Sequence, residues 1–117
     1  MTDRELLELA AKAVGIKKDD SPHNGGGLKN DGFDLTGNLV TDWHNNERWN
    51  PLRNDGDAMR LAVKLRLRVF TPVDDGERAT VGEIQGSGHV YTHSEDGIAA
   101  TRRAIVLAAA KIGRRMK

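Results

Sequence analysis

The densest group of residues able to do chemistry lies between Trp49 and Ala58, where Trp49, Asn50, Arg53, Asn54, Asp55 and Asp57 are nearly contiguous. Two carboxylates so close together, Asp55 and Asp57, suit a general base or a divalent cation. Trp49, Arg53 and Asp55, joined by basic residues of a neighbouring strand, would suit a small ligand such as a nucleotide. The same residues also have structural uses. Pro51 disfavours helix at Asn50, so the chain is expected to be extended there before it turns. Asn54 can then cap a helix with Asp57 at its third position, both acids lying at the positive helix end. Capping accounts for Asn54 and Asp57, and leaves Arg53 and Asp55 as an exposed polar rim around Trp49.

A second candidate is basic. Lys64, Arg66 and Arg68 are spaced by two, which would align them on one face of a strand. With Arg102 and Arg103 they would offer phosphate contacts to a nucleic acid or nucleotide. The competing reading is a solvated strand face kept soluble by its charge. Without interleaved aromatics for stacking, the solvated face is the favoured reading, and by charge alone the patch is still the best functional lead.

Other pairings lead less far. His89 and His93 have the spacing of helical metal ligands but lie in a strand pattern, with no His-Glu-x-x-His around them. Asp42 and His44 would share a strand face, yet no third ligand accompanies them. Ser87 sits in Gly86-Ser87-Gly88, a turn rather than a nucleophile elbow. Gly25-Gly26-Gly27 lacks the Gly-Lys-Ser/Thr sequence of a phosphate loop, since Leu28-Lys29-Asn30 follows. Neither a catalytic set nor a metal or cofactor site can be assembled, and the expectation is a non-enzyme.

Positioning these residues requires a small number of elements. Thr2 and Glu5 form a capping box, and Leu6, Leu9, Ala10 and Ala13 follow at helical spacing to a stop at Gly15. Residues 17 to 32 lack periodicity and read as a mobile loop. Phe33 to Trp43 suggests a short extended piece or hairpin. Ala58, Leu61, Ala62 and Leu65 repeat as a helix whose apolar face is widened by Met59 and Val63. From Leu65 the period becomes two, with Leu67 and Val69 alternating against Arg66, Arg68 and Phe70. Ala79 to Gln85 and His89 to His93 continue an antiparallel meander. A last helix runs from Gly97 to Ile112, capped by Ser94 or Asp96, carrying Ile98, Ile105 and Ile112 at heptad spacing and stopping at Gly113.

The chain of 117 residues falls within the usual length of one domain and is read as one over 1–117. With 18 Lys and Arg against 17 Asp and Glu, net charge gives no general pull toward polyanions, although residues 97–117 are locally basic and without acids. The absence of cysteine excludes disulfides, thiolate metal sites and a cysteine nucleophile. No apolar run approaches the roughly 18 residues of a membrane span. The expected setting is cytoplasmic. Oligomeric state is left open, because alanine-rich helix faces suit self-association and internal packing equally.

Trp49-Asn50-Pro51-Leu52, followed by Asp55-Gly56-Asp57-Ala58-Met59-Arg60-Leu61-Ala62-Val63-Lys64-Leu65 and, near the end, Ala99-Ala100-Thr101-Arg102-Arg103-Ala104-Ile105-Val106, resembles small phage and prophage proteins of the phage ABA-sandwich domain family. The likeness covers most of the chain after Val40. It implies an alpha-beta-alpha arrangement, encoded in a phage or prophage genome, and brings no established activity. Residues and resemblance together predict an α+β fold, a small mostly antiparallel sheet covered by about three helices. The expected function is a small accessory protein in the bacterial host's cytoplasm, a non-catalytic binding module for a host or phage macromolecule, nucleic acid being one class of partner. The alternative is a small-ligand or nucleotide-sequestering protein. Its candidate site residues are Trp49, Arg53, Asp55, Lys64, Arg66, Arg68, Arg102 and Arg103.

Overall fold

Helix α1 spans Asp3–Val14 in the computed structural model, which describes residues 2–19, 32–70, 78–83, 89–93 and 97–116. The Thr2 hydroxyl accepts the Glu5 N–H at 3.2 Å, as the capping box requires. Gly15 adopts the left-handed conformation, and the Ile16 N–H donates back to the Ala11 carbonyl at 2.9 Å. Of the expected loop over 17–32 only residues 17–19 and 32 are described, Asp19 donating to and Gly32 accepting from the Val40 backbone, and the Gly86-Ser87-Gly88 turn and the proposed caps Ser94 and Asp96 lie outside the described residues.

Strands β1 (Leu39–Asp42) and β2 (Glu47–Trp49) form an antiparallel hairpin, pairing Leu39 with Trp49 and Val40 with Arg48. Asn46 takes the positive φ of its turn, a conformation that asparagine tolerates better than most residues. The second strand of this hairpin does not follow from the polar run Thr41 to Arg48. His44 falls in the turn, so it shares no strand face with Asp42, and that proposed ligand pair is withdrawn.

Helix α2 spans Asp55–Leu65, and the Asn54 side chain caps it by accepting the Asp57 N–H at 2.9 Å. Its buried apolar residues are Ala58, Leu61 and Ala62, with Leu65 packed beside them. Met59 and Val63 do not widen that face. They are 64 % and 68 % exposed. Strand β3 (Leu67–Phe70) then pairs antiparallel with β4 (Arg78–Glu83), which pairs with β5 (His89–His93), in the order β3-β4-β5. Leu67 and Val69 pack on the core, whereas Arg68 and Phe70 leave the opposite face and are exposed.

Helix α3 spans Gly97–Arg115 and is the central element, packing against α1, α2 and each strand of the three-stranded sheet. Ala108, Ala109 and Ala110 are all buried, and three consecutive helical positions sweep about 200° of arc. A helix buried through so wide an arc must be narrow, which explains its run of alanines. Among the heptad isoleucines only Ile105 is fully buried, and Ile98 is exposed. Gly113 is not the stop either. The helix continues through it, and a Cβ there would run into the Leu9 carbonyl of α1, so glycine serves a close helix crossing. Three helices against small antiparallel sheets give the expected α+β class among the described residues.

Candidate functional site

Trp49 belongs to the core. It is 7 % exposed at the end of β2, and anchors a corner in which the acids, amides and guanidiniums of residues 34 to 60 bond to one another. Asp34 begins this corner. Its carboxylate accepts the Thr36 N–H at 2.9 Å, the Thr36 hydroxyl at 2.8 Å, the Asn38 N–H at 2.9 Å and the Asn38 side-chain amide at 3.0 Å, while Arg48 Nε donates at 3.0 Å. Burial alone would raise the Asp34 carboxyl; the bonds from Asn38 and Thr36 outweigh it and hold that carboxyl well below the usual carboxylate range.

The corner then passes to Asn50, a buried residue with every polar atom in use. Its Nδ2 donates to Asn38 Oδ1 at 2.9 Å, its Oδ1 accepts the Leu52 N–H at 3.1 Å, and its own N–H donates to Asp57 Oδ2 at 2.9 Å. The Asn50 carbonyl accepts from Arg53 and Asn54. Asp57 completes the chain by accepting Arg60 Nη2 at 2.8 Å on its other oxygen. Asp57 is therefore a buried structural acid. No described buried side-chain polar atom lacks a partner.

Four of the proposed site residues meet here. Arg53 Nη1 donates to the Thr36 carbonyl at 3.1 Å. Arg102 Nε reaches from α3 to the Leu52 carbonyl at 2.9 Å, and its Nη1 donates to Asp55 Oδ1 at 2.7 Å. The Arg102 side chain is 19 % exposed and that of Asp55 72 %, so this pair rims the corner and adds little to stability. Trp49, Arg53, Asp55 and Arg102 are thus neighbours, but the indole is covered and both guanidiniums already have acceptors. Arg103 points elsewhere, donating to Asp3 Oδ1 at 3.2 Å.

Lys64, Arg66 and Arg68 are not on one strand face. Lys64 is in the last turn of α2, Arg66 caps that helix and Arg68 is on β3. The periodicity misled because Leu65 satisfies both the helical repeat from Ala58 and the alternation into the strand. Nor do they adjoin the corner, since the length of α2 at 1.5 Å per residue puts about 15 Å between Asp55 and Leu65. The expected rim beside a basic strand therefore does not form.

Two properties set these cations apart. Arg66 has φ 54° and ψ 48°, the left-handed conformation usual for glycine at a helix C-terminus, at a cost of about 1 kcal/mol relative to glycine. Moreover, among the described residues the side chains of Lys64, Arg66 and Arg68 are exposed and have no hydrogen-bond or ion-pair partner, whereas every other arginine with a described side chain is engaged. Phe70, 58 % exposed, leaves the sheet two residues beyond Arg68.

The side chains of His89 and His93 lie outside those described, and the described residues include no group of three or more His, Cys, Asp and Glu able to hold an ion. Asp42 instead accepts the backbone and side-chain N–H groups of Asn45 at 3.1 and 2.7 Å, bonds that lower its pKa. Sequence reasoning missed Asp34, Thr36, Asn38 and Arg48. The available signal was Asp34 two residues before Thr36 and three before Gly37, the pattern of an Asx turn. No described helix is long and apolar enough to cross a membrane. Compared with protein-family models, curated proteins and solved structures, the chain matches none.

Proposed function

We propose that the protein is a non-catalytic binding module for a host or phage macromolecule. The observation that carries this reading is the contrast between an internally bonded polar corner and an exposed junction from Val63 to Phe70 that presents Val63, Lys64, Arg66, Arg68 and Phe70. A catalytic group has to be open to its substrate, and the acids and amides most concentrated in the sequence spend their bonds on the fold instead. Their likeness to the phage ABA-sandwich motif supports a phage or prophage setting. The small-ligand alternative draws less support, because Trp49 is covered and Arg53 and Arg102 are already occupied.

Affinity capture from bacterial lysate, with wild type beside a Val63→Asp/Phe70→Asp variant, tests the reading. A macromolecule retained by the wild type and lost from the folded variant is the expected result. Equal recovery by both, or none by either, would overturn it.

A further inference from the structure

We infer that the α2–β3 junction binds single-stranded nucleic acid, with Lys64, Arg66 and Arg68 contacting phosphates and Phe70 offering a stacking surface to a base. This rests on the binding-module reading and names its partner. The first support is electrostatic. Each other arginine with a described side chain is engaged, so the lack of a side-chain partner sets Arg66 and Arg68 apart among those arginines. Unpaired, solvated cations keep their full charge for an anion from outside, and phosphate contacts of this type dominate affinity for nucleic acids.

The second support is conformational and independent of charge. Glycine at position 66 would cap the helix through the same backbone N–H, which donates to the Ala62 and Val63 carbonyls, without left-handed strain. The arginine side chain makes no described contact that offsets this strain, so it has no evident use within the fold. Residues kept in unfavourable backbone regions are found where function requires the side chain.

The third support is the aromatic. Arg68 and Phe70 lie two apart on β3, so they share one face, at about 7 Å along the strand. Among the described strands it lies at the edge of its sheet. The cross-strand row that starts at Phe70 continues through Thr80 to the register position of Tyr91. Cations flanked by an exposed aromatic supply both parts of sequence-tolerant single-strand binding, phosphate contact and a side chain on which an unpaired base can stack. A duplex keeps its bases stacked inside and offers none to Phe70. An acidic chain without apolar side chains would satisfy the cations and leave the ring unused.

Fluorescence anisotropy with a labelled oligothymidylate, its duplex and poly-glutamate as competitor provides the test. Wild type should bind the single strand in preference to the duplex, with affinity falling as salt rises. Phe70→Ala should weaken binding about tenfold or more. Arg66→Gly should weaken it and flatten the logarithmic salt slope by about 0.7, while raising the melting temperature by about 4 °C. A merely structural arginine would not move stability and affinity in opposite directions. Lys111→Ala, an exposed cation on α3, should leave binding unchanged. Equal competition by poly-glutamate, equal duplex binding, a silent Phe70→Ala or a loss with Lys111→Ala would each overturn the inference. If the oligonucleotide is not bound while junction-dependent capture from lysate persists, the single-strand assignment alone falls. If capture fails as well, the binding-module reading falls with it.

Discussion

From Asp34 to Arg60 the polar side chains answer one another, whereas from Lys64 to Arg68 the cations have no partner among the described residues. The two regions adjoin in sequence and are both rich in charge. The difference lies in geometry. In the corner, an Asx turn, a hairpin end and a helix start converge, so each donor finds an acceptor within 3.1 Å around Asn50. At the junction the chain passes from helix to edge strand, and side chains leaving an edge meet solvent. Density of functional groups in a sequence therefore marks the part of this protein that is closed, and the sparser stretch marks the part that is open.

The strongest way to break this comparison is Asn50→Ala. It leaves Asn38 Oδ1 and the Leu52 N–H without their partner, and should cost about 3 kcal/mol in urea unfolding. A loss under about 1 kcal/mol would mean the corner is not the interlocked unit described.

Acid titration sharpens the same point through Asp34. A carboxyl held low in the folded state contributes stability that is present above its unfolded pKa, near 4, and is lost as pH falls through the folded value. Asp34→Asn should accordingly flatten the dependence of stability on pH below about 4, by at most about 1.4 kcal/mol per pH unit. An unchanged acid limb in equilibrium unfolding would contradict the bonding assigned to that carboxylate.

Smaller effects are expected outward from the corner. Arg102→Ala removes one donor from the Leu52 carbonyl and one exposed ion pair, and should cost about 1 kcal/mol by chemical denaturation. On the exposed face of α2, Met59→Gln with Val63→Thr should change stability by no more than about 0.5 kcal/mol. A larger loss in thermal or urea unfolding would show that these side chains are covered after all.

Features decided locally were legible in the sequence. The Thr2 and Asn54 caps and the Gly15 stop depend on a few adjacent residues, and each appears where the pattern placed it. Features decided by distant contact were not. Gly113 carries the residue type of a helix terminus, but its role depends on Leu9, a residue far away in sequence. Met59 and Val63 fit the apolar repeat of α2, yet that repeat cannot say how wide a face the fold covers. In the candidate site, the capping use of Asn54 was readable, whereas the Asp57 carboxylate, expected at the helix start, bonds the Asn50 N–H and Arg60 instead. Asn50 joining Asp57 to Asn38 and Asp34 was not readable, since that depends on which hairpin approaches. Arg66 was opaque for another reason, because arginine gives no hint of left-handed backbone.

The crossing of α1 and α3 at Gly113 also bears on the order of assembly. Helix α3 is the surface on which α1, α2 and the three-stranded sheet are packed, and ribosomes deliver its residues after all of those. A nascent chain with α1 and the hairpin already made has no central helix to cover them, and its apolar faces must wait across a long loop closure. Folding should therefore be slow for so small a protein, limited by contacts of high sequence separation rather than by helix formation.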